Sequence, residues 1–216
     1  MLPEYTYAHA RGKLDYGINK YLSFVYRDYE RRPTVRESAL SVIETAEEIF
    51  LRACTFQENI KSKRTGGCFT VGNRNTGLIP YPVYMGATKS DDEEYGKKSD
   101  KYIMYAVTKA AVLFTNPDLS TSIEYESHAP EERIYLGENA IPAGGIALPT
   151  GEVLSFSGFS QGLDEALCIA TALKMKLIDL TQAQEISNHG TKSSYELAIK
   201  LLPSDFISKS TNSNSS

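Results

Sequence analysis

With 216 residues, 41% of them hydrophobic and 23% charged, with 14 Tyr, 8 Phe and no Trp, the chain carries enough apolar side chain to close a core, which excludes global disorder. A formal charge of -4 and a pI near 5.5 give no general attraction to phosphate backbones or anionic lipid, so neither nucleic acid nor a membrane surface is expected as a partner. The three cysteines, Cys54, Cys68 and Cys168, form no C-x-x-C pair and suggest neither a disulfide framework nor a thiolate zinc site; with no apolar run long enough to cross a bilayer, the chain reads as cytoplasmic.

In chain order, Tyr16, Ile18, Tyr21, Leu22, Val25 and Tyr29 have helical spacing and suggest a Tyr-rich helical extension over 1–33. Pro33-Thr34-Val35-Arg36-Glu37 is a capping-box sequence that should start a helix. Its apolar positions Ala39, Val42, Ile43, Ala46, Ile49, Phe50, Ala53 and Phe56 recur every three or four residues opposite Glu44, Glu47, Glu48 and Arg52. Basic residues and then Gly66-Gly67 end it. Cys68–Val71 and Leu78–Met85 flank the turn formers Gly72-Asn73-Arg74-Asn75-Thr76-Gly77 and predict an antiparallel hairpin. Pro80 and Pro82 place its second strand at a sheet edge.

Residues 88–101, with Asp91 to Glu94 and then Lys97-Lys98, read as a solvated charged loop. A second amphipathic helix is predicted from Asp100 to Phe114, burying Ile103, Ala106, Val107, Ala110 and Leu113, with Tyr102, Tyr105 and Lys109 on a neighbouring stripe. Ser120–Ala140 reads as a long polar loop. Ala143–Leu148 and Val153–Gly158 around Pro149-Thr150-Gly151-Glu152 predict a second hairpin, followed by a helix from Gly162 to Leu177. Asn188-His189-Gly190 marks a helix end, Tyr195–Leu202 a short helix, and 208–216 a tail with nothing to bury. The expectation is one α+β domain over 34–180, a central antiparallel β-sheet with flanking helices, with a helical segment at 181–207.

Three pieces of this pattern resemble the GlcG/HbpS-like haem-binding family, which shares its fold with the C-terminal domain of PduO-type proteins, over about residues 38 to 178. They are the turn Gly72 to Gly77, the Lys109-Ala110 pair within a helix, and the hairpin that carries Gly144-Gly145 and Gly151-Glu152 and closes in Ser157-Gly158 before Asp164. Ala147 and Ser155 stand where that family usually has Pro and Gly. The resemblance implies a sheet-and-helix layering like that of profilin or PAS domains, binding of haem or a related tetrapyrrole, and assembly into a homo-oligomer.

A tetrapyrrole needs an apolar slot, partners for its propionates and, optionally, an axial ligand. Tyr102, Tyr105, Lys109, Gly144, Gly145 and Ser157 are the candidate binding residues, and His128 the candidate metal ligand, since it lies in a loop outside any buried stripe. Each has a plainer structural explanation: a solvated lysine, a tyrosine at the rim of a core, a surface histidine, strand glycines that allow close packing.

Two alternatives stand beside this one. The same fold can serve as a ligand-binding or protein-interaction scaffold without haem. Gly158-Phe159-Ser160-Gln161-Gly162 also matches the G-x-S-x-G of serine esterases and thioesterases, with Asp179 and His189 following in the required order. That spacing leaves little room for the βα units that normally separate such partners.

Overall fold

The computed structural model describes residues 33–62, 66–86, 93–125, 143–204 and 206. The expected Tyr-rich helix, His128 and the C-terminal tail lie outside these residues. The first helix, α1 (Pro33–Ala53), starts on a proline, whose fixed φ and missing N–H suit the first helical turn. Its predicted stripe is the observed one: Ala39, Val42, Ile43, Ala46, Ile49, Phe50 and Ala53 are all buried, and Phe56 packs on the same core from the turn that leads to α2 (Gln57–Ser62).

Four strands follow the predicted hairpins: β1 (Gly66–Asn73), β2 (Leu78–Gly86), β3 (Gly145–Ala147) and β4 (Glu152–Ser157). They form one antiparallel sheet in the order β2-β1-β4-β3, so the two hairpins are joined through β1 and β4, with Cys68 opposite Ser157 and Asn73 opposite Glu152. The proline-bearing β2 lies at an edge, where a missing N–H costs no ladder bond. The hairpin turns are also tied together, since Arg74 N–H donates to Gly151 O at 2.8 Å and Asn75 Nδ2 to Thr150 O at 2.9 Å.

The second long helix, α3 (Glu93–Thr115), begins earlier than expected, because residues 93–99 are helical where the charge run suggested a loop. Glu93 and Lys97, like Glu94 and Lys98, stand four residues apart, a spacing that favours helix with the acid first. Beyond the second hairpin come α4 (Gln161–Lys174), α5 (Leu180–His189) and α6 (Ser194–Leu201).

Strand alternation sorts the layers. Phe69, Val71, Val83, Met85, Ile146, Leu154 and Phe156 join α1 and α4 in the main core. On the other face Cys68, Tyr84, Ala147 and Val153 meet Ala106, Ala110 and Leu113 of α3. The sheet is therefore covered on both sides, by α3 on one and by α1 with α4 on the other. Phe50, Phe156 and Phe159 bind α1 to the β4–α4 corner, with ring centroids 5.2 to 5.9 Å apart. Among the described residues, no helix is long and apolar enough to cross a membrane.

Candidate functional site

The sequence sets Lys109 on a stripe next to the apolar one of Ala106, Ala110 and Leu113, where a solvated lysine is the plain expectation, but its place in α3 turns out to be in the core. The structure puts it there with 0% exposure. Its Nζ donates to the carbonyl of Phe156 at 2.7 Å and to Oδ2 of Asp164 at 3.2 Å. Asp164 sits in the first turn of α4, and its second oxygen accepts from the Phe159 N–H at 2.8 Å. Burial pushes the Asp164 carboxyl up, while the Lys109 ammonium and the Phe159 and Gly158 amides pull the other way.

Gly144 lies between these groups at φ 121°, a conformation that suits glycine. A Cβ there would fall 2.6 Å from Asp164 Cβ, 2.7 Å from Lys109 Nζ and 2.9 Å from Phe156 O. Gly145 backs onto Lys109 Cβ and Leu113 in the same way. The structure thus brings Lys109, Gly144 and Gly145 together, but as a sealed ion pair under closely approaching backbone. A porphyrin ring does not fit between them.

The other predicted residues lie elsewhere. Ser157 is buried on β4 opposite Cys68. Tyr102 packs half-buried against the small cluster of Cys68, Tyr84 and Ala106. Tyr105 is buried, with Lys101 Nζ 5.3 Å from its ring centroid. Lys101 and the 43% exposed Met104 stand open to solvent and Tyr102 is half-buried, so these residues of α3 are accessible as a ligand wall must be. Lys109, Gly144, Gly145 and Ser157 do not offer such a wall.

Three positions of G-x-S-x-G, Gly158, Phe159 and Gly162, have a structural use. A Cβ on Gly158 would lie 2.7 Å from Gly66 O, Phe159 completes the aromatic trio, and Gly162 packs against the Thr191–Ser193 turn. Ser160 precedes α4 at φ -75°, ψ 154°, ordinary extended backbone in place of the strained turn of a nucleophile elbow. Its hydroxyl donates to Glu58 at 3.2 Å. The proposed partners are engaged separately. Asp179 caps α5 through Gln182 N–H, and His189 Nδ1 lies 3.0 Å from Glu124 at the far end of that helix. A helix of this length holds its ends about 14 Å apart. The strand before Ser160 is antiparallel to both neighbours, unlike the parallel sheet beneath an esterase nucleophile.

None of the three thiols offers a ready nucleophile: burial pushes Cys54 up to about 11 and Cys68 up to about 12, and raises Cys168 well above the ordinary range. Among the described residues, no group of three or more His, Cys, Asp or Glu is arranged to hold a metal.

Two features were not foreseen. Arg74, read only as a turn residue, reaches from the first hairpin to the end of α3 and donates to the carbonyls of Leu113, Asn116 and Pro117. Next to it opens a cavity of about 460 Å³, walled by Leu119, Ser120 and Leu148 and, from α5, Gln182, Ile186 and His189. The signal for the first was the Arg within a turn otherwise made of small polar residues; the second depends on where α5 docks, which no local pattern encodes. No protein-family model, curated protein or solved structure matches the chain.

Proposed function

We propose that this chain is a noncatalytic binding protein with the GlcG/HbpS-like arrangement, that its ligand is haem or a related tetrapyrrole, and that it assembles into a homo-oligomer. The observation that carries the reading is the convergence of the resembling segments. The Lys109-Ala110 helix, the Gly144-Gly145 strand and the Asp164 helix start meet at one ion pair, so their residue types are explained by a single junction. The absence of a strained serine turn at Ser160 and the raised thiols favour binding over covalent chemistry. The ring is assigned to the outer rim of α3 at Tyr102, since the Lys109 junction is closed. His128 remains the axial candidate.

A hemin titration followed by visible absorption and mass-based sizing tests this. The expected result is a saturable Soret shift in an oligomer, weakened by Tyr102→Ala and altered in position by His128→Ala. No saturable shift, or a shift indifferent to both substitutions, overturns it. The same fold without haem is the second reading, favoured by the cavity beside α5, whose volume of about 460 Å³ lies in the usual range for small-ligand pockets, roughly 300 to 1,000 Å³.

A further inference from the structure

Glu165 follows Asp164 in α4 and is fully buried, yet among the described residues it has no cationic partner of its own. Its Oε1 accepts from Thr191 N–H at 2.9 Å, in the connection from α5 to α6, and from the hydroxyl of Ser194, the first residue of α6, at 2.7 Å. Ser187 continues the network, since its hydroxyl lies 2.9 Å from that of Ser194, donates to Thr191 O at 3.2 Å and accepts from Tyr195 N–H at 3.1 Å. Oε2 is buried and meets no hydrogen-bond partner among the described residues, and the same holds for the Thr191 hydroxyl. Gly190 roofs the carboxyl so closely that a Cβ there would fall 2.3 to 2.6 Å from its oxygens and Cδ.

A buried carboxyl with one oxygen doubly bonded and the other unpaired is tolerable while neutral and costly once charged. We infer that Glu165 is a proton-controlled latch on the α5–α6 connection: neutral, it holds Thr191 and Ser194 under the Gly190 roof; ionised, it draws water beneath Gly190 and loosens that connection.

The surrounding charges set where the latch turns. From α3 the Lys109 ammonium favours the charged form, but Asp164, the neighbour of Glu165 in α4, already pairs with it. From the segment after α3 the Glu124 carboxylate opposes ionisation, and it is itself paired with His189 at the end of α5. The α5–α6 connection and α6 offer Glu165 the Thr191 amide and the Ser194 hydroxyl, while their own charges, Lys192, Glu196 and Lys200, lie at the surface. Desolvation outweighs all of these and pushes the Glu165 carboxyl up to about 7. Because Ile186 and His189 of α5 wall the cavity, loosening of this connection also alters that wall.

The test is amide hydrogen exchange on the full chain, corrected for intrinsic rates, between pH 5.5 and 8.5. Protection of the Thr191 and Tyr195 amides is expected to fall at least about tenfold across that interval, one unit of titration being a factor of ten, while the Phe156 amide in the sheet stays protected. Glu165→Gln, which cannot ionise, is expected to hold Thr191 protection flat. Ser194→Ala removes a donor to the charged form and should move the midpoint upward, which keeps the test open if the glutamine variant does not fold. Thr191 protection independent of pH in the parent chain, the same profile in Glu165→Gln, or an unmoved midpoint in Ser194→Ala overturns the latch.

Discussion

Asp164 and Glu165 are neighbours in the first turns of α4, and both are buried, yet the helix turns them toward different surroundings. Asp164 faces the sheet corner, where an ammonium and a backbone amide take up its two oxygens. Glu165 faces the α5–α6 connection, where a hydroxyl and an amide share one oxygen and nothing described takes the other. The difference shows what satisfies a buried carboxylate. A fixed counter-charge makes a strut between layers, whereas neutral donors alone leave a group that titrates.

The largest expected effect comes from breaking the strut. Lys109→Met leaves Asp164 charged or forces it to take a proton, and should cost about 3 to 5 kcal/mol in urea denaturation. Combining it with Asp164→Leu should cost less than the two single changes together, because the pair is lost as a unit. A single-variant cost below about 1 kcal/mol would make the junction ornamental and remove the central support for the proposed arrangement.

The next effect sharpens the contrast through pH. The Glu165 carboxyl stands at about 7 against an ordinary 4.5, so the folded state holds this proton more tightly than the unfolded chain. Its contribution to stability is therefore full below pH 4.5, declines as pH rises toward about 7, and is absent above, a loss of about 3 kcal/mol. Glu165→Gln should remove that decline and stand above the parent chain in alkaline solution. Parallel stability curves for the two proteins would show that the pH dependence originates elsewhere.

The smallest effect belongs to Ser160, whose hydroxyl donates to the exposed Glu58. Ser160→Ala should change stability by no more than about 0.5 kcal/mol. The parent chain should also resist a fluorophosphonate probe, and stoichiometric labelling at Ser160 would reinstate the hydrolase reading.

The elements were largely legible because their signals are local. The stripe of α1 from Ala39 to Ala53, the turn formers between the strands and the prolines of β2 each encode their own geometry. The start of α3 was missed because a charge run was read as solvation, although its acid-to-base spacing also favours a helix. The site was legible only in part. Lys109 and Gly144 were singled out, but on a ligand wall; their burial depends on Asp164, 55 residues away from Lys109. The Glu165 network joins residues 26 and 29 positions apart through the docking of α6, and no periodicity marks such a pairing.

The β1–β4 seam has a consequence for synthesis. As the chain leaves the ribosome, β1 can pair with β2 at once, but its other edge must wait for Glu152–Ser157. Until then an apolar strand bearing Phe69 and Val71 stands open in the middle of what will become the sheet. The first hairpin, complete at Gly86, is thus a template held half-finished for roughly 70 residues of translation, until Glu152–Ser157 emerges.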